Sequence, residues 1–329
     1  MSTEEPSEII VEVVRAQDEG GQPPSRERKD PNTCPRCSSH YRDDELRAEL
    51  RVCRTCGHHF IVGALERISQ LADPGTFEEA ASGLRSADPL AFVDSRPYPE
   101  RLASAASATG LDDAMVVGRA EIDGHRCALA TMEFQFIGGS MGSVVGEKFA
   151  RAVDLALEDS MPLISVASSG GARMQENVLA LMQMAKTTLA VDALNEAGIP
   201  FISVLSHPTT GGVMASFAAL GDVIIAEPGA LMSFAGPRVV QQTTREKLPD
   251  DFGRAESNFR NGHIDMVVDR HELRGMLARL LRLFAGGEFV YAVAEPELEE
   301  PAAGVLGRVL QRVRRRPHGA PHTNGGSSS

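Results

Sequence analysis

The sequence predicts an α/β body built from strand, glycine loop and helix units, preceded by a small four-cysteine ribbon. From about residue 115, apolar β-rich runs are each followed by a glycine pair and then a helical run, the alternation that gives parallel strands covered by helical layers. Ahead of that body stand two CxxC pairs at ribbon spacing. The composition, 42% hydrophobic and 24% charged over 329 residues, is globular and fits one main body plus something small.

Residues 1–33 are rich in Glu, Gln, Pro, Ser and Arg and are expected to be a mostly disordered extension. The opening MSTEEPSEIIVEVV lacks a positive start followed by an apolar stretch, so nothing there reads as a secretory signal and a cytoplasmic location is expected. No run approaches the ~18 apolar residues of a membrane helix, so no membrane partner is expected. A net charge of −12 argues against general adhesion to nucleic acid or anionic lipid, which repel an acidic protein at long range.

Cys34-Pro-Arg-Cys37 and Cys53-Arg-Thr-Cys56 are separated by the 15 residues Ser38 to Val52, and Gly57 follows where a backbone turn is wanted. Each CxxC turns two thiolates to one side, and two such turns supply the four soft ligands of tetrahedral zinc. With every position filled by sulfur the metal has no open site, so zinc is expected to stabilise a ribbon over 34–60 and to take no part in catalysis. His58 and His59 are expected at its surface or just outside the ligands. From Arg28 to Phe60, seven basic residues stand against five acids, a net +2 that predicts at most weak contact between ribbon and nucleic acid. Cys127, alone in the apolar CALATMEF, is expected to be a buried thiol.

The body reads in order as strands at Met115–Ala120 and Arg126–Phe136 joined by a turn at Asp123-Gly124, a loop Gly138-Gly139-Ser140-Met141-Gly142, and a helix over Val144–Glu158. A strand at Leu163–Ala167, the turn Ser169-Gly170-Gly171 and a helix from about Met174 to Glu196 follow. Next come Phe201–Leu205, the turn Thr209-Thr210-Gly211-Gly212, a short helix Val213–Leu220, a strand Val223–Ala226 and a loop at Ala235-Gly236-Pro237. The pairs at 170–171 and 211–212 lie 41 residues apart, one strand–helix unit. Glycine at such handovers admits a ligand oxygen to the backbone, and two adjacent N–H groups aimed at one point form an oxyanion hole. One pair alone reads as a tight turn; three at the same end of successive units predict a shared cleft.

Neither GxxxxGK[ST] nor a spaced GxGxxG is present. Gly138–Gly142 does satisfy G-x-S-x-G between strand and helix, the setting of a hydrolase nucleophile, and Asp222 and His263 follow in triad order, though neither sits in a recognisable loop context. Arg173 stands where it would hold a phosphate, a carboxylate or a partner chain, or else pair with Glu176. Lys148 reads as a solvated charge beside an ordinary Glu147–Arg151 surface pair. Met174, Met182 and Met184 read as core fillers.

The ordered set VCRTCGHHF, DPGTFEE, DSRPYPERL, FIGGSMGSVVGEK, SSGGARMQE, LMQMAKT, HPTTGGVMASFA, GDVIIAEP and FAGPRVV resembles the β subunit of acetyl-CoA carboxylase carboxyltransferase, from about Cys34 to about Arg270. The resemblance implies a crotonase-like fold of ββα units over 61–290, with 291–329 a mostly disordered tail. It implies an enzyme that moves a carboxyl group from carboxybiotin on a biotin carboxyl carrier protein to acetyl-CoA, giving malonyl-CoA for fatty-acid synthesis. An α subunit in an α2β2 assembly and a biotin carboxylase are the implied partners. Gly170 and Gly171 map onto the pair whose amides face the acyl-CoA oxygen, while Gly138, Gly139, Ser140, Met141, Gly142, Arg173, Gly211 and Gly212 fall among the substrate-binding residues. Asn177 and His207 depart from the expected motif, which leaves another short acyl-CoA open as acceptor. A ribbon-based nucleic-acid binder and a stand-alone acyl-CoA hydratase using Glu176 are the rival classes.

Overall fold

Two CxxC turns of the same form begin the computed structural model, which describes residues 30–285 apart from residue 246; most of the N-terminal extension and the C-terminal tail lie outside the described residues. The amides of Ser38 and Gly57 donate to Cys34 O (2.9 Å) and Cys53 O (2.8 Å), and both residues are left-handed, at φ 62° and 69°. Helix α1 (Asp43–Ala48) bridges the turns, and Leu46, Tyr41 and Phe60 pack with the cysteines into a small core of their own.

Helix α2 (Ala64–Leu71) follows, burying Ala64, Arg67, Ile68 and Leu71, the one-sided spacing of an amphipathic helix. After β1 (Glu78–Ala80), helix α3 (Tyr98–Thr109) ends on left-handed Gly110. Strands β2 (Met115–Ile122) and β3 (His125–Met132) form a hairpin closed by Asp123-Gly124, both at positive φ, as a two-residue turn matched to strand twist requires. The remaining units are α4 (Ser143–Asp159), β4 (Leu163–Ser169), α5 (Val178–Ala197), β5 (Phe201–Thr210), α6 (Gly211–Met214), β6 (Val223–Ala226), β7 (Met232–Ser233), α7 (Pro237–Thr244), α8 (Ala255–Arg260), β8 (Met266–Val267) and α9 (Arg270–Ala285).

The sheet runs β1-β2-β3-β4-β5-β6-β8, with β7 alongside the end of β5; β1 to β3 pair antiparallel and every other pair is parallel. Its strands feed two cores in strict alternation. Leu163 and Ala167 of β4, and Phe201 and Leu205 of β5, face the α4 side, where Phe149 stacks on Phe217 at 4.2 Å. Ile164, Val166, Ile202 and Val204 face the α2 and α9 side. The period of two that points successive side chains to opposite faces makes both surfaces apolar, as a doubly covered sheet demands.

Four expectations are corrected here. The second strand of the hairpin stops at Met132, seven residues before a left-handed Gly139. The helix expected from Met174 is a 3-10 turn, Met174–Glu176, broken from α5 by Asn177 at φ 46° and ψ −123°. The helix expected over Val213–Leu220 is the four-residue α6 and a separate 3-10 turn at Phe217–Ala219. Met174 and Met182 are exposed, and of the three methionines only Met184 packs against the core.

Candidate active site and metal centre

The 170–171 and 211–212 turns directly follow β4 and β5, and the 138–142 loop, which begins six residues beyond β3, meets them there. A Cβ on Gly171 would sit 3.1 Å from Gly211 Cα and 3.3 Å from Gly212 N, and one on Gly211 would sit 3.0 Å from Gly171 Cα. Gly139 is pressed on Ser168 O, and Met141 N donates to Gly171 O (2.8 Å) while Arg173 N donates back to Met141 O (2.9 Å). Backbone therefore packs on backbone, and Gly171 at φ 116° holds a conformation L side chains rarely adopt. The junction gathers Gly138, Gly139, Ser140, Met141, Gly142, Gly170, Gly171, Gly211 and Gly212 into one wall, of which Gly170 is exposed and Gly139, Met141, Gly142, Gly171 and Gly212 are buried.

The paired amides do not stand open as expected. Gly170 N donates to Gly138 O (2.8 Å) and Gly171 N to Ser169 Oγ (2.9 Å). A turn this tight satisfies its own donors when no ligand competes for them.

Of the two roles expected for Arg173, the structure shows the internal one: it pairs with Glu176 (3.4 Å) and does not reach the junction's surface. It is fully buried, and its guanidinium donates to Asp113 Oδ1 (2.6 Å), Ser140 O (2.9 Å), Ser140 Oγ (3.1 Å) and Tyr98 Oη (3.1 Å). Burial works against its charge, but the Asp113 carboxylate reverses the balance and raises its pKa. Glu176, the one carboxylate a hydratase could have used, is equally buried and accepts from Tyr98 Oη (2.7 Å) and from Ser143 N and Oγ (2.6 and 2.7 Å). Burial raises its pKa, yet these donors outweigh it and hold the group ionised below its ordinary range, so it is no proton donor at neutral pH. Lys148 is also corrected: it is buried and donates to Met115 O (2.9 Å), while Glu147 and Arg151 do form the expected pair at 2.8 Å.

The hydrolase geometry is absent among the described residues. Ser140 Oγ is held by Arg173, Asp222 caps the Phe201 amide (2.8 Å), and His263 is exposed. His207 lies within β5, three residues before its end, with Nδ1 accepting from Leu231 N (3.1 Å). Burial, and then the nearby charges of Arg254 and His58, bring its pKa down to about 4, so the ring is neutral with its proton on Nε2.

The four cysteine sulfurs lie within 4.8 Å of one another, with Cys34–Cys56 at 3.6 Å and Cys37–Cys53 at 3.5 Å. Zinc–sulfur bonds of about 2.3 Å in a tetrahedron place sulfurs about 3.8 Å apart, so the cluster fits a metal ion. Tyr41 Oη lies 3.1 Å from Cys53 Sγ. Cys127 is fully buried, and desolvation pushes its thiol up to about 12, as expected of a core group.

The ribbon is fastened to the body by charge. Glu227, fully buried after β6, accepts from Arg67 of α2 (2.7 Å) and from Arg270 of α9 (2.6 and 2.7 Å). Arg270 also donates to Leu50 O and Arg51 O (3.0 and 3.1 Å) of the ribbon, and His59 contacts Asp269 (3.0 Å). Burial alone would raise the Glu227 pKa, but Arg67 and Arg270 hold it well below 4.5.

A carboxyl transferase domain matches residues 64–281. The chain is 52% identical over 248 residues to the acetyl-coenzyme A carboxylase carboxyl transferase subunit beta of Pelobacter propionicus, covering 75% of this chain and 87% of the relative. The chain belongs to this carboxyl transferase beta-subunit family. It is 53% identical to the subunits beta/alpha protein of Salinispora arenicola, of which it spans 45% while that match covers 77% of this chain. In structure it is similar to a transcarboxylase 12S solved with methylmalonyl-coenzyme A and methylmalonic acid bound (28% identity, TM-score 0.56, 67% of this chain and 41% of that one). The family places this chain among enzymes, as a carboxyltransferase subunit on a crotonase-like body, and favours neither a nucleic-acid binder nor a hydratase. No helix among the described residues is long and apolar enough to cross a membrane.

Proposed function

We propose that this carboxyl transferase subunit binds acetyl-CoA at the glycine junction and, with an α subunit, converts it to malonyl-CoA for fatty-acid synthesis. The observation that carries the reading is the meeting of three glycine turns whose backbones pack directly on one another, in a chain of this family. A thioester whose methyl carbon is deprotonated gathers negative charge on its oxygen, and main-chain amides in a desolvated cleft stabilise that charge. The exposed Gly170 amide exchanges Gly138 O for the thioester oxygen, and Gly171 lets the backbone come close enough. Gly138 to Gly142, Gly211 and Gly212 shape the walls.

Biotin, presented on a partner carrier protein loaded by a biotin carboxylase, supplies an activated carboxyl group. Around the junction the titratable groups of this chain are already committed: Glu176 and Asp113 to Arg173, Tyr98 and their neighbours, and His207 to Leu231. The chain thus binds and orients the thioester and leaves proton removal to the carboxyl donor's own chemistry. Helix α5 supports a partner subunit, since Val178, Leu181, Met182 and Leu189 on it are all exposed. The beta/alpha fusion in a relative supports the same reading. The four cysteines hold structural zinc in a ribbon over 34–60, and the transferase body extends from 61 to 290.

The test is carboxylation of acetyl-, propionyl- and butyryl-CoA by the purified complex with α subunit, carrier and carboxylase. Acetyl-CoA as the preferred acceptor supports the proposal; a clear preference for a longer acyl chain assigns the subunit to another short-chain carboxylase. Turnover by the isolated chain without biotin overturns it.

A further inference from the structure

Directly beneath the glycine junction, four separate stretches of chain converge on one buried polar cluster. Arg173 and Glu176 come from the turn after β4, Ser140 and Ser143 from the loop and first turn of α4, Tyr98 from α3 with Ser86 before it, and Asp113 from the approach to β2. Tyr98 Oη donates to Glu176 and accepts from Arg173, so a single hydroxyl joins the two. Ser86 Oγ lies 2.7 Å from Asp113 and 3.0 Å from Glu176. Glu176 binds both the amide and the hydroxyl of Ser143 at the start of the 17-residue α4, where a carboxylate complements the helix dipole. A Cβ on Gly142 would overlap the Glu176 carboxylate, so the loop rests on it.

We propose that Arg173, Glu176 and Tyr98 are positioning residues that set the spacing of the 138–142 and 170–171 walls, and through it the rate of carboxyl transfer. The inference rests on the function proposed above. None of the three reaches open cleft: each is buried, with its polar atoms bonded within the cluster, to one another and to Asp113, Ser140 and Ser143. They act on the reaction only by holding backbone in place, and a misplacement of about 1 Å at a reacting centre costs about a hundredfold in rate.

The test compares Glu176→Gln and Tyr98→Phe with wild type in the assembled complex, reading kcat, KM for acetyl-CoA and the pH profile of kcat. Expected is a fall in kcat of about tenfold to a hundredfold for Glu176→Gln and a smaller fall for Tyr98→Phe, with KM within about threefold and an unshifted pH profile. Tyr98→Phe keeps the buried ring and decides the matter should Glu176→Gln fail to fold. A raised KM at unchanged kcat assigns the residues to ligand binding, a shifted pH profile assigns Glu176 to acid–base chemistry, and wild-type kinetics in a folded Tyr98→Phe leaves the cluster merely structural; each overturns the proposal. Absence of carboxyl transfer in the wild-type complex overturns the function instead, and so the two failures are told apart.

Discussion

Gly170 and Gly171 are adjacent, yet a methyl group meets different surroundings at each. At 170 the nearest atom to an added Cβ is Gly138 O at 3.6 Å, an ordinary contact, whereas at 171 the Cβ meets Gly211 Cα at 3.1 Å in a left-handed backbone. Gly170→Ala should therefore leave the melting temperature within about 2 °C, while Gly171→Val costs about 1–3 kcal/mol in backbone strain and at least a hundredfold in carboxylation rate. Zinc content and circular dichroism check that folding persists. His207 makes a second residue-scale prediction. Its folded pKa of about 4 lies below the ordinary 6.5, so the folded state binds fewer protons between those values and stability falls as pH drops from 6.5 through 4. His207→Asn keeps an acceptor for the Leu231 amide without titrating, and its melting temperature should fall less than that of wild type over this interval.

Among the elements, the ribbon and α5 are where the proposed zinc and the proposed partner subunit are tested. A domain whose core is three residues packed on four cysteines has too little apolar surface to fold alone, so chelation of zinc should unfold residues 34–60, seen as new protease sites and loss of ribbon amide protection. Replacing Leu189 on the exposed face of α5 with Glu should weaken association with the α subunit at least tenfold while leaving the subunit's own melting temperature unchanged. Much of this architecture is legible in the chain: β6 matches its expected bounds Val223–Ala226, the hairpin turn and the second CxxC turn are marked by Gly124 and Gly57, and α4 follows its glycine loop within a residue of the expected bounds, whereas the first CxxC turn closes on left-handed Ser38 with no glycine to announce it. What escaped was decided at long range. The break at Asn177 lies in a run with unbroken helical pattern, because Arg173 and Glu176 are drawn away to Asp113 and Tyr98, partners 60 and 78 residues distant. Lys148, flanked by Glu147 and near Arg151, carries the local pattern of a solvated charge, and nothing local announces that Met115 O takes its donor.

For the molecule as a whole, the Arg67–Glu227–Arg270 group joins ribbon, α2, the sheet and α9 into one body. Removing one member of a buried charge group strands the others without compensation, so Glu227→Gln should lower unfolding free energy by about 3–5 kcal/mol, measured by urea denaturation at neutral pH. Because Glu227 is held well below 4.5 when folded, its contribution is complete above 4.5 and is lost as pH falls through the lower folded value; the variant should show a flatter acid limb than wild type. The mutual contact of Gly171 and Gly211 carries a different kind of consequence. Crowding elsewhere in a protein is relieved by trimming a neighbour, but here the neighbour is already the smallest residue there is. No second-site change at either position can rescue a substitution at the other, so a selection for revertants should recover only true glycine restoration at these two codons.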